Sequence, residues 1–250
     1  MPRFFVTTDA VDKENNIITI AGDDARHIAR SLRMAVGDSV TVSDGQSTEY
    51  VCTLTRIRDE ECLATIESEA AGGGEPKMDI TLCMAYPKGD KLETVIQKAV
   101  ELGVTKIIPF ESSRCIKRPK AEKMDKLTAR LSRIAEEAAK QCGRVRIPTV
   151  MAPTSFTAML GEAVSCELAL FCYECEHNRS LPDVLTGEAP SSVSIIIGAE
   201  GGFSAEEAAE AINKGAVSVS LGKRILRCET APSFVLSAIS YEYELGRRES

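Results

Sequence analysis

Between Ile80 and Phe110 the hydrophobic pattern changes period twice, and no other stretch limits the fold so narrowly. Ile80, Leu82 and Met84 alternate as a strand, PKGD turns the chain, and Leu92, Val95, Ile96, Ala99 and Leu102 recur at the spacing of one helix face. Asp90 and Glu93 stand where they can cap that helix, and Gly103 stands where it stops. TKIIPF follows as a second strand. A strand, helix, strand unit of this length implies parallel pairing with a right-handed crossover. The expected fold class is α/β.

The alternation continues downstream. A long helix is expected over roughly 122–141, with Met124, Leu127, Leu131, Ile134 and Ala138 on its buried side and a basic opposite side. A helix around 155–163 and strands at LALFCY and SIIIG extend the open sheet with helices on both faces. In the last sixty residues two strands each run into a glycine-bearing loop. Ile195, Ile196 and Ile197 lead to Gly198, Ala199, Glu200, Gly201 and Gly202, after which Ser204 and Glu207 form a capping-box pair. Val217, Val219 and Leu221 lead to Gly222 and a loop ending near Pro232, before a last helix. Two such loops let a small ligand such as a nucleoside approach the backbone closely. Neither fits GxGxxG or the Walker pattern, so on composition alone a pair of tight turns is an equal reading.

The N-terminal region reads differently, as short strands at 17–20, 40–43, 50–57 and 62–68 separated by turn signals, which suggests a small β-barrel. One helix interrupts them, DDARHIARSLRM, where Arg26, Arg30 and Arg33 fall on one face and could lie along a phosphate backbone. AAGGGEP is the best linker, so residues 1–72 and 76–250 are expected as two domains.

Charge is unevenly placed. The formal net charge is -7, yet residues 75–150 hold 16 basic against 10 acidic side chains, and within 112–146 the ratio is 11 to 4. Such a block can neutralise several phosphates, whatever the total. The nine cysteines and the absence of an apolar run of signal-peptide length suggest reduced thiols and a cytoplasmic protein. Nothing approaches the roughly 20 apolar residues of a membrane span. Cys172 and Cys175 form a lone C-x-x-C near His177, too few ligands for a structural zinc site, and no metal is expected. With only His27 and His177 in the chain, a histidine-based triad has little support.

IIIGAEGGFS followed by LGKRILRCETA resembles the cofactor-binding signature of the RsmE family, the 16S rRNA uridine-N3 methyltransferases of the SPOUT class. The likeness extends through PKGDKLETVIQKAVELGV, SSRCIKRP and EEAAKQCGRVRIP, although the family usually has Pro at Ala199 and Thr at Cys228. The resemblance implies a SPOUT-type parallel sheet ending in a trefoil knot, with a PUA-like β-barrel before it. It places S-adenosylmethionine on Ile197, Gly198, Glu200, Gly201, Gly202, Leu221, Gly222, Ile225, Leu226, Arg227, Glu229, Thr230 and Ala231. Transfer to a ring nitrogen is mostly alignment, plus removal of a proton or stabilisation of the resulting anion. Arg114 and Arg144 match arginines of the family motifs and are the expected catalytic pair, with Arg227 a third candidate and Glu200 or Glu229 as possible bases. The RNA contacts implied are Arg26, Arg30, Arg33, Lys117 and Arg118. The same resemblance implies 16S rRNA, in an assembled small subunit, as partner and a homodimer in which Phe234, Leu236, Ile239 and Tyr243 form either contact or core. A ribose 2′-O methyltransferase, a non-catalytic RNA-binding protein and a nicotinamide-dependent enzyme remain alternatives.

Overall fold

The computed structural model describes residues 1–116 and 121–245, which group into two compact units. The first comprises Met1–Glu75 with Ala139–Ile147; the second runs from Pro76 to Ala138 and from Pro148 onwards. No helix among the described residues is long and apolar enough to cross a membrane.

The first unit contains β1 (Arg3–Phe5), β2 (Val11–Asp12), β3 (Ile17–Ala21), α1 (Gly22–Arg26), β4 (Ser39–Ser43), β5 (Thr48–Ile57) and β6 (Glu61–Ala71). They form a six-stranded sheet in the order β1-β4-β5-β6-β3-β2, antiparallel except where β1 meets β4. Alternation along the strands sends Ile18, Ile20, Val40, Val42, Tyr50, Cys52, Leu54, Cys62 and Ala64 into one core. β1 and β2 escaped the sequence reading because two or three residues carry no measurable period.

The expected arginine helix is altered. α1 gives way to a π turn over His27–Ser31, in which the Leu32 amide donates to the His27 carbonyl, and Arg33 has φ of 50°. A widened turn breaks the 3.6-residue spacing, so the three arginines do not make a single helical stripe. Arg26 pairs with Asp23 and Arg30 with Asp59, and both pairs are exposed.

The second unit contains β7 (Asp79–Ala85), α2 (Lys91–Glu101), β8 (Lys106–Glu111), α3 (Met124–Cys142), whose last turn belongs to the first unit, β9 (Thr149–Val150), β10 (Thr154–Ser155) and α4 (Phe156–Ala163). β11 (Leu168–Cys172), α5 (Leu181–Val184), β12 (Ser192–Ile197), α6 (Ala205–Asn213), β13 (Val217–Val219) and α7 (Ala231–Ser240) complete it. All its strands are parallel, in the order β10-β8-β7-β12-β11-β13 with β9 beside β8, so the α/β class is as expected. β7, β11 and β12 are buried along almost their whole length, as strands covered on both faces must be. Ser194, buried in β12, is satisfied by donating to the Ala163 carbonyl at 2.8 Å. The Asp90 side chain makes no cap bond to α2, and Glu93 instead pairs with Arg130 of α3 at 2.8 Å. A long-range partner has displaced the local cap. Gly103, with φ of 91°, stops the helix as expected.

In the first unit, Gly143 at φ of 83° ends α3, and the amides of Gly143 and Arg144 both turn back to the Ala139 carbonyl. The three residues after it close around Glu75. Arg144 donates to the carboxylate through Nε at 3.2 Å and Nη2 at 2.6 Å, and the amides of Val145 and Arg146 donate at 3.0 and 3.1 Å. Burial pushes the Glu75 carboxyl up, but the Arg144 guanidinium and the two amides outweigh it and leave it below its ordinary value. This stabilisation is therefore complete above the ordinary glutamate value of roughly 4.3 and is lost as the pH falls through the lower folded value. Arg144→Ala strands a carboxylate whose side chain is 15% exposed. We expect a cost of about 2 kcal/mol, less than for a fully buried pair, read as a lowered denaturant midpoint at pH 7 that converges on the parent in acid.

Candidate functional site

Because β12 lies between β7 and β11, with β13 beyond β11, the loops after β11, β12 and β13 leave one edge of the sheet together. They enclose a cleft of about 440 Å³. Its place outside the carboxyl ends of parallel strands is where open α/β sheets take ligands, and its volume falls in the range of roughly 300–1,000 Å³ for small-molecule sites.

From the β12 loop, Ile197, Gly198, Glu200, Gly201 and Gly202 line this cleft; from the β13 loop come Leu221, Gly222, Ile225, Leu226, Arg227, Glu229 and Ala231. Thr230 does not line it; its amide donates to the Arg227 carbonyl as the chain turns into α7. Ala199, Arg224 and Cys228, within the two expected loops, line it as well, and Lys91, Cys172, Tyr173, Glu174 and Ser220 do so unforeseen from the sequence. The signal that finds Cys172, Tyr173 and Glu174 is the position of LALFCY as a strand beside SIIIG, since the strand-end rule then applies to it as well.

The glycines are required by close approach. A Cβ on Gly201 would lie 3.0 Å from the Arg114 Cβ and 3.3 Å from its carbonyl, and one on Gly198 would lie 3.1 Å from the Phe203 ring. Phe203 holds the loop down from beneath, packed against Phe171 at 4.4 Å between ring centroids and stacked at 6.4 Å on Phe110. The Gly202 amide closes the turn onto the Ala199 carbonyl at 3.0 Å, so Ala at this position leaves the turn intact.

Lys91, in the first turn of α2, joins the two glycine loops. Its ammonium lies 2.9 Å from Glu200 and 3.3 Å from Glu229, and Glu200 also accepts the Lys88 amide at 3.2 Å. The hydrogen bond to Glu200 raises the lysine. Burial pushes Glu200 up, but Lys91 and nearby amides bring it below its ordinary value; its own amide, opposed by burial, and then Cys228 and Lys91 do the same for Glu229. Both carboxylates are thus held below their ordinary values and engaged by Lys91. The Cys228 thiol, pushed up to about 12 by burial and by the Glu229 contact, stays protonated and lies 3.3 Å from that carboxylate.

Arg114 follows β8 in an exposed loop. Its guanidinium donates to the Gly201 carbonyl at 3.0 Å, which sets it beside the glycine loop. Arg144 belongs to the first unit, where it is 3% exposed and bound to Glu75. Arg26, Arg30 and Arg33 also belong to the first unit, and Lys117 and Arg118 lie outside the described residues. Tyr243, Leu236 and Ile239 are buried, whereas Phe234 is 44% exposed.

Comparison with known proteins agrees with this geometry. A family model described as RNA methyltransferase domain matches residues 74–240, and one described as RNA methyltransferase PUA domain matches residues 20–67. The chain is 32% identical to ribosomal RNA small subunit methyltransferase E of Bacillus subtilis, over 99% of each. Among solved structures, a Neisseria gonorrhoeae ribosomal RNA small subunit methyltransferase E bound to S-adenosylmethionine is similar at a TM-score of 0.84 and 29% identity, over 97% of this chain and 98% of that one. A putative methyltransferase from Legionella pneumophila, solved with the same cofactor bound, is similar at a TM-score of 0.85 and 30% identity, over 95% and 96%.

Proposed function

This chain belongs to the ribosomal RNA small subunit methyltransferase E family, and from that premise we propose that it transfers a methyl group from S-adenosylmethionine to ring N3 of a specific uridine in 16S ribosomal RNA. The observation that carries this reading is the meeting of the two glycine loops in one cleft at the strand ends, with Arg114 fastened to Gly201 on its edge. The cleft fits the cofactor, since its volume of about 440 Å³ suits a small molecule and its lining of Gly198, Gly201, Gly202 and Gly222 leaves backbone open to close approach. When bound, S-adenosylmethionine supplies an electrophilic methyl carbon on a sulfonium leaving group. The chain supplies alignment. The loops after β12 and β13 hold the ligand through their backbone, Lys91 fixes one loop to the other, and the Arg114 guanidinium faces the incoming base. N3 gives its proton to solvent as it takes up the methyl group, and Arg114 favours the uracil anion formed by that loss, which the incoming methyl group then neutralises. Arg144, committed to Glu75, is read as a brace of the first unit.

The finer features of the class complete the proposal. They are a C-terminal segment threaded as a deep trefoil knot, a homodimer in which the exposed Phe234 is a contact, and an assembled small subunit in the cytoplasm as the substrate. RNase mass mapping of 16S rRNA from cells lacking this protein tests the reaction. One uridine should lose a base methyl group and regain it on complementation, whereas loss of a ribose methyl group would sink the reading.

The RNA affinity is assigned to Arg26, Arg30 and Arg33 with the basic stretch around Arg114–Arg146. Replacing the first three by Gln should lower the slope of log affinity against log salt by roughly two to three, with S-adenosylmethionine affinity unchanged. An unchanged slope would mean that these arginines serve only their pairs with Asp23 and Asp59 or the solvent.

A further inference from the structure

Glu207 occupies the third position of α6, where the sequence explains it as half of a capping box with Ser204. It does form that box, accepting the Ser204 amide at 3.0 Å while its own amide donates to the Ser204 hydroxyl at 3.2 Å. The cap itself uses one carboxylate oxygen. Glu207 is 8% exposed, and the same carboxylate also accepts the Ser113 amide at 2.7 Å and the Ser113 hydroxyl at 2.9 Å. Ser113 immediately precedes Arg114. On the other side of Ser113, buried Ser112 takes the Cys115 amide on its carbonyl at 3.1 Å and the Arg114 amide on its hydroxyl at 3.3 Å.

We propose that Glu207 is a positioning residue for the methyl transfer, fixing the backbone on which Arg114 stands to the helix that follows the Gly198–Gly202 loop. The inference rests on the reading of Arg114 given above. Arg114 and Gly201 come from separate strands, and their mutual bond at 3.0 Å joins two exposed loops. Without a second fastening the guanidinium is free to swing with the β8 loop. Glu207 supplies that fastening 94 residues away in sequence, so the helix dictated by the glycine loop also dictates where the arginine sits. A shift of about 1 Å in such a group costs on the order of 10² in rate.

The test uses small ribosomal subunits from a strain lacking the protein, with single-turnover methylation, cofactor affinity and thermal midpoint measured for the parent, Glu207→Gln, Ser113→Ala and Ser204→Ala. Glu207→Gln, which keeps one acceptor oxygen for the cap, should slow transfer by roughly tenfold or more with cofactor affinity within about twofold. Ser113→Ala should slow it several-fold, and Ser204→Ala should lower the midpoint and leave the rate near the parent's. The inference is overturned if Glu207→Gln transfers at the parent rate, or if Ser204→Ala slows transfer as much, since the residue is then only a cap. Should Glu207→Gln fail to fold, Ser113→Ala decides the matter, a parent rate overturning the proposal. A parent protein that transfers nothing to these subunits overturns the reading beneath it as well, which separates the two failures.

Discussion

Valine at Gly201 or Gly222 is expected to weaken S-adenosylmethionine binding by roughly 10² or more while the protein stays folded. The two positions fail for different reasons. At Gly201 a side chain meets the Arg114 Cβ at 3.0 Å and its backbone carbonyl at 3.3 Å, so the loop must move away from Arg114 or the cleft must reshape. At Gly222 nothing lies within 4 Å of the added atom, but φ of 107° is closed to a β-branched residue, and the chain must rotate a peptide that lines the cleft. Both glycines stand in loops beyond strand ends, so the sheet beneath is untouched and the far-ultraviolet spectrum should match the parent. Calorimetric titration of each folded variant with the cofactor is the measurement. A folded Gly222→Val protein with parent affinity would show that the β13 loop does not hold the ligand.

Arg114→Lys is expected to slow single-turnover methylation by roughly 10² with cofactor affinity retained. The guanidinium gives one N–H to the Gly201 carbonyl at 3.0 Å, and its planar fork leaves further donors for the uracil oxygens. An ammonium keeps the charge and cannot serve both partners in a fixed plane. The pH dependence has a definite sign. A cation beside the ring favours the N3 anion, so transfer should accelerate as pH rises toward the base's own pKa, and should do so at a lower pH than in a neutral Arg114→Gln variant. Arg144→Lys is the comparison. Since Arg144 is turned into the first unit against Glu75, this change should lower stability and leave the rate of the folded protein within a few-fold of the parent. If Arg114→Lys transfers at the parent rate across the pH series, Arg114 does no more than position RNA, and the proton acceptor has to be sought among Glu200, Glu229 and water.

Much of the fold was legible because it is decided over short distances. The period of Ile80, Leu82 and Met84, and of Leu92, Val95 and Ile96, follows from backbone geometry, and two strands flanking one helix leave little choice but parallel pairing. The Ser204–Glu207 cap lies within one turn and was equally readable. The sequence also placed the two glycine loops at strand ends. What it could not place was anything that depends on the path between elements. Strand order put β11 next to β12 and so brought Tyr173 and Glu174 to the cleft, while Lys91 reached Glu200 across 109 residues. The capping box hid the second attachment of Glu207, and the motif match of Arg144 hid its commitment to Glu75, 69 residues earlier. The expected cap on α2 lost Glu93 to a tertiary partner, Arg130, whereas the arginine stripe was broken locally by the π turn over His27–Ser31. A local preference worth about 1 kcal/mol yields wherever tertiary contacts offer a charged or apolar group a better partner. Chemistry and period are properties of the residues, but which carboxylate meets which cation is fixed only when the chain has closed on itself.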